Sequence, residues 1–208
     1  MGYNPDKHHR RSIRLRNWNY TNAGSYFVTI CLNQRIFRNT LGNGKHTRRG
    51  KLDTPRSRGA HAGAPLRGDA NMNCNFPILG TIANYIMILN DYGKMVEKYI
   101  LEIINNTNKF SGIKINEYII MPDHVHAIIE INNATIGLGT VIQWFKTMTT
   151  NEYANNVKTL NWQRFNKRLW QRNYYEYIIR NEAIHAKITQ YIHNNPILWQ
   201  KKHSDTIL

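Results

Sequence analysis

The 208-residue chain sets 28 Lys and Arg against 13 Asp and Glu, giving a formal charge of +15 and a pI near 10.0, with 41% hydrophobic residues. That length buries a full core as one domain, and two cysteines, Cys31 and Cys74, are too few for a disulfide framework or a zinc ribbon. No run approaches the roughly 18 apolar residues of a membrane span and the opening MGYNPDKHHRRS lacks a signal-peptide core, so the expected compartment is the cytoplasm and the charge excess suits a polyanion, nucleic acid before anionic membrane.

The first segment, HHRRSIRLRNWNY, interleaves basic and aromatic residues, as either a nucleic-acid-contacting arm or a solvated tail would. SYFVTICL (25–32) is β-branched and aromatic and predicts a buried strand. From about 42 to 75 the composition turns to Gly, Arg, Pro, Ala and His with almost no large apolar side chains. Such a stretch cannot offset its ordering entropy by burial, so it is expected to be a flexible basic insertion in a single domain spanning 1–208. Removing 45–69 would take away seven Lys and Arg and two Asp, leaving about +10, so the polyanion argument does not depend on it.

Apolar residues at helical spacing, among them Ile88, Met95, Tyr99 and Ile103, predict a helix from Ile82 to about Asn105, weakened by Gly93 in its middle. Two strands follow, IKINEYIIM and VHAIIEI, joined through Pro122-Asp123. A second helix is expected at about 140–156. LWQRNYYEYIIR fits a strand or a short helix equally well. The last helix is capped by Asn181, carries Ile184, Ile188, Tyr191 and Ile192 on one face, and is expected to end at Asn195, before Pro196. This order predicts an α+β fold with helices packed on an antiparallel sheet.

Chemistry concentrates in MPDHVHAIIEI. In a strand His124 and His126 point to the same face, about 7 Å apart along it. Two imidazoles so placed can hold one cation, or can be two half-buried rings satisfied by hydrogen bonds. The HExxH and CxxC patterns of zinc sites are missing, as is a GxSxG elbow. Tyr191 sits four residues before Asn195, so on a helix the hydroxyl and the amide can face one way; it also lies on the apolar stripe, where a core tyrosine would.

SYFVTICL, EYIIMPDHVHAIIEI, LWQRNYYEYIIRNE and YIHNNP, in this order, resemble the REP-associated tyrosine transposases, which belong to the single-tyrosine HUH transposases of bacterial insertion sequences. The resemblance covers about 11–199 apart from the stretch 42–75. It implies a ferredoxin-like α+β fold and an enzyme that cuts and joins single-stranded, hairpin-containing DNA of the repetitive extragenic palindrome kind. His124 and His126 match the metal-binding HUH histidines. Tyr191 matches the catalytic nucleophile, and Asn195 the position where relatives carry a glutamine ligand. Asp123 stands where relatives often have asparagine. The implied cation is Mg²⁺ or Mn²⁺, and the implied mechanism a metal-dependent cleavage through a 5′-phosphotyrosine intermediate. The aromatic–basic run 162–180 is expected to supply stacking faces and phosphate contacts. The alternative function is an inactive or domesticated binder of hairpin DNA. The expected partner is single-stranded DNA rather than a membrane, bound by a monomer or a homodimer.

Overall fold

The computed structural model describes residues 20, 22–33 and 78–204. The expected insertion at 42–75 and the basic N-terminal arm lie outside these residues. Six strands and three helices are present among them: β1 (Gly24–Cys31), β2 (Gly80–Ala83), β3 (Ile86–Leu89), α1 (Asp91–Asn105), β4 (Ile113–Ile120), β5 (His124–Ile131), α2 (Leu138–Thr159), β6 (Tyr175–Ile179) and α3 (Glu182–Ser204).

Strands β4, β5, β1 and β6 form one sheet in that spatial order, with every neighbouring pair antiparallel. Setting the separate β2–β3 hairpin aside, the chain runs β1-α1-β4-β5-α2-β6, the split βαβ arrangement of the ferredoxin-like fold. Strand alternation assigns the two faces. Tyr26, Val28 and Ile30 of β1 and Val125, Ala127, Ile129 and Ile131 of β5 join Met95, Val96, Tyr99 and Ile103 of α1 and Val141, Ile142 and Phe145 of α2 in the main core. The opposite face holds a smaller cluster, Phe27, Ile128, Ile179 and Ile192, against which Ile184, Ile188 and Tyr191 of α3 pack. Helices α1 and α2 therefore cover one face and α3 the other.

The structure differs from the sequence-based reading at two places. Residues 80–89 are a hairpin rather than the first turns of a helix, and α1 begins at Asp91. The Oδ1 atom of Asn90 accepts from the Gly93 N–H at 3.0 Å, while its amide donates to the Ile78 carbonyl at 2.7 Å. Gly93 thus lies in the first turn, where a Cβ would meet the Leu79 carbonyl oxygen at 2.1 Å. It is there because the backbones approach closely, not as a flaw in mid-helix. The second difference is Pro196, which lies inside α3 instead of ending it. Proline gives up one i→i−4 hydrogen bond. Packing beyond it offsets that loss, since the Trp199 ring lies 5.9 Å from His124 of β5 and stacks on His203, one turn further along α3, at 4.5 Å.

The cap at Asn181 is as expected, its Oδ1 accepting from Ile184 N–H at 2.9 Å. The ambiguous run before it resolves into the edge strand β6. No helix among the described residues is long and apolar enough to cross a membrane.

Candidate metal and nucleophile site

The site lies where the α3 face of the sheet meets the end of β1. Register pairs Thr29 with His126 and Cys31 with His124, so Phe27, Thr29, His124, His126 and Ile128 all point to that face. The β4–β5 connection supplies Asp123, held at its base because Leu32 N–H donates to the Asp123 carbonyl at 2.8 Å.

Both imidazoles are buried, 5% exposed at His124 and 2% at His126, and their Nε2 atoms lie 3.0 Å apart. Each outer nitrogen is anchored. Asp123 Oδ1 accepts from His124 Nδ1 at 2.5 Å, and Thr29 Oγ1 lies 2.9 Å from His126 Nδ1. With its Nδ1 protonated toward Asp123, His124 presents a lone pair on Nε2. In the tautomer that carries its proton on Nε2, His126 Nδ1 can accept from the Thr29 hydroxyl. A hydroxyl also accepts, so the same contact serves the other tautomer, in which His126 Nε2 is bare. Burial, then the neighbouring His124, push the His126 imidazolium well below its ordinary range, opposed by a hydrogen bond to the Val28 backbone. The ring is neutral near pH 7, the form that ligates.

These donors fit one cation. The 3.0 Å separation of the Nε2 atoms is what two neighbouring ligands of an octahedral ion subtend at about 2.1 Å each. Among the described residues no group of three or more His, Cys, Asp and Glu is placed to hold a metal. A further ligand from the described residues would therefore be an amide, a hydroxyl or a carbonyl.

Tyr191 and Asn195 come to the same region on α3. The Tyr191 ring meets His126 at 5.4 Å and Phe27 edge-on at 6.1 Å, while Phe27 stacks on His126 at 5.1 Å. Tyr191 is half-buried, packed against the smaller cluster on this face. Asn195 is buried one turn on, with Nδ2 donating weakly to the Tyr191 carbonyl at 3.4 Å. Its oxygen is the atom a cation would use, but no hydrogen bond or ring contact links Asn195 to either histidine. His193 Nε2, 2.9 Å from Glu117 Oε2, ties the helix to β4 beside the bulge at Ile115 and Glu117.

Sequence reasoning missed Thr29, Phe27 and Trp199 as neighbours of the pair. Thr29 carried a signal, being a polar residue in the middle of an apolar strand. Trp199 carried none once Pro196 was taken as the helix end.

The aromatic–basic run 162–180 divides differently from the expectation. Trp170 and Tyr174 are buried in the main core, so these two rings are not stacking faces, while Trp162 and Phe165 are partly buried against it. The cations remain outside. Lys167, Arg168 and Arg172, with Lys146 of α2, line an open groove of about 480 Å³ between α2 and residues 167–174, with no carboxylate among the described residues of its lining. Lys146 Nζ donates to the Gln171 and Asn173 carbonyls at 3.0 and 3.1 Å, and its burial lowers the ammonium to about 8. The groove and the histidines are on opposite faces of the sheet.

A ferredoxin-like α+β domain with paired strand histidines and a helix-borne tyrosine against them is the class defined by this geometry. The model of the family "Transposase IS200 like" matches residues 85–195, more than half of the chain. The chain belongs to the IS200-like transposase family, and the matched stretch contains His124, His126, Tyr191 and Asn195.

An uncharacterized protein of Haemophilus influenzae is 32% identical over 221 residues, covering 96% of this chain and 94% of that one. A "Putative REP-associated tyrosine transposase" of the same organism is 28% identical over 81 residues, 38% of this chain and 46% of its own. Two solved structures are similar at lower identity. One is a REP-associated tyrosine transposase bound to a REP hairpin, at 15% identity and TM-score 0.48, covering 88% of this chain and 73% of that one. The other is a "putative transposase" of Deinococcus radiodurans, at 14% and 0.42, covering 87% and 95%.

Proposed function

We propose that this transposase cuts and rejoins single-stranded, hairpin-containing DNA, with Tyr191 as nucleophile and His124 and His126 holding a divalent cation. The observation that carries the reading is the convergence of two imidazoles, each fixed at Nδ1, on one point beside the Tyr191 ring.

His124 and His126 would hold Mg²⁺ or Mn²⁺ through Nε2, with the Asn195 amide oxygen as the third protein ligand, directly or through water. When bound, the cation neutralises charge on a non-bridging oxygen of the scissile phosphate. Asp123 and Thr29 keep the imidazoles in the ligating orientation. The Tyr191 oxygen bonds to phosphorus as the bond from phosphorus to the 3′-oxygen breaks, leaving a 5′-phosphotyrosyl protein and a free 3′-hydroxyl. The phenolic proton is released to solvent, and the departing 3′-oxygen takes one up. Because the phosphodiester energy is kept in the tyrosyl linkage, a second 3′-hydroxyl can reverse the step on a new strand.

Elsewhere the chain's +15 charge and the carboxylate-free groove on the far face support a polyanionic partner. Incubation of end-labelled hairpin DNA with single-stranded flanks tests the reading. Cleavage is expected with Mg²⁺ or Mn²⁺ and none with chelator. Binding without cleavage under both conditions would leave an inactive hairpin binder as the function.

A further inference from the structure

The β2–β3 hairpin holds an aromatic residue in a backbone conformation that tyrosine disfavours. Its turn residues Asn84 and Tyr85 have φ of 51° and 62°, both left-handed. A two-residue hairpin turn with positive φ at both positions is best served by Asn-Gly. Asparagine fits its place, but a bulky side chain in the second position is strained.

Among the described residues the ring is not buried in return. Tyr85 is 52% exposed, and Ile86 and Ile88 on the hairpin's outward face are 65% and 54% exposed. The turn is nevertheless held in position, since the Tyr85 N–H donates to Gln200 Oε1 at 2.7 Å and the inward residues Met87 and Leu89 pack on the main core. Gln200 directly follows Trp199, whose ring lies 5.9 Å from His124, and precedes the exposed Lys201 and Lys202. A strained, exposed ring is thus pinned to the helical turn that borders the histidine pair.

We propose that Tyr85 is a base-stacking residue. An unpaired nucleobase of the strand passing the histidine pair stacks on its ring, Ile86 extends the apolar platform, and the lysines that end α3 take the adjoining phosphates. Aromatic stacking suits unpaired bases of any sequence, and the surrounding charge favours nucleic acid over a protein surface. The inference rests on the single-strand reading above and adds a subsite to it.

The test compares wild type, Tyr85→Gly and Tyr85→Trp by fluorescence anisotropy on a labelled DNA hairpin with single-stranded flanks and on the same hairpin trimmed of them. Tyr85→Gly is expected to bind the flanked hairpin about tenfold more weakly, the scale of one lost stacking contact. It should bind the trimmed hairpin unchanged and unfold at a higher temperature, because the strain is relieved. Tyr85→Trp should keep the affinity. A Tyr85→Gly protein that binds the flanked hairpin as wild type does overturns the proposal. If that variant also loses self-association in sedimentation, the patch is a contact between copies of the chain. Wild-type protein that binds neither hairpin overturns the single-strand reading itself, so the two failures are told apart.

Discussion

Thr29 sets the condition for the histidine pair at the scale of single residues. Its hydroxyl is buried, 2.9 Å from His126 Nδ1, and no other group shown there can both donate and accept. Thr29→Val keeps the shape and removes the hydrogen bond, so Mn²⁺ affinity measured by calorimetry should fall about 10–100-fold, the usual effect of losing a ligand's outer partner. Unchanged affinity would mean that His126 does not ligate. His124→Ala and His126→Ala should each abolish metal-dependent cleavage while DNA binding persists in the anisotropy assay. Asn195→Ala should be milder, because water can replace an amide ligand. The histidine pair was legible in the sequence because period-two alternation alone puts residues 124 and 126 on one face. Thr29 was not, because its role depends on the β1–β5 register, which no local pattern fixes.

Helices and turns show where sequence patterns mislead at the scale of elements. Ile82, Ile86 and Ile88 fit a helical spacing when read with the residues of α1, yet they belong to a hairpin of only four residues per strand. Short alternation and helical periodicity overlap over so few positions. Asn90 followed by Asp91 was the better signal, an N-cap with an acid in the first turn. Gly93→Ala tests the corrected boundary. Its Cβ would press on the Leu79 carbonyl at 2.1 Å, so stability should drop by about 1–3 kcal/mol, whereas a glycine exposed in mid-helix would gain from the change. Chemical denaturation decides between the two signs.

Lys146, which ties α2 to residues 171–173, gives a pH test. Burial lowers its ammonium from 10.5 to about 8. Between those values the unfolded chain holds a proton that the folded chain has released, so this group makes stability rise with pH across that window. The advantage of wild type over Lys146→Met in thermal unfolding should therefore grow between about pH 8 and about pH 10. Parallel profiles would contradict the assignment. Cys31, raised from 9.0 to about 11 by burial and then by Asp123 and partly held down by Lys146, acts in the opposite sense, and losing Lys146 raises it further, which adds to the expected difference.

Among the described residues, the sheet separates the histidine pair from the basic groove. The histidines, Tyr191 and α3 lie on one face, and the basic groove along α2 lies on the other. The α+β class was legible from the order of elements. The separation was not, because the run 162–180 mixes aromatics that pack inward with cations that face solvent, and composition does not say which is which. With +15 on the chain, affinity for flanked hairpin DNA should fall steeply and linearly in log–log form as salt rises. A flat response would remove charge as the basis of binding.

In the proposed reaction Tyr191 bonds covalently to DNA. Of the tyrosines nearby, Tyr175 and Tyr177 pack half-buried beside α3 and Tyr174 packs on the opposite face, whereas the Tyr191 ring lies against His126. The direct measurement is mass spectrometry of the protein after reaction with flanked hairpin DNA and Mn²⁺, with the attachment mapped by proteolysis. The account predicts a 5′-phosphodeoxynucleotide on the peptide carrying Tyr191, and none in Tyr191→Phe, which keeps the ring and its contacts with Phe27 and His126. An adduct on another tyrosine, or an adduct that survives in Tyr191→Phe, would contradict it.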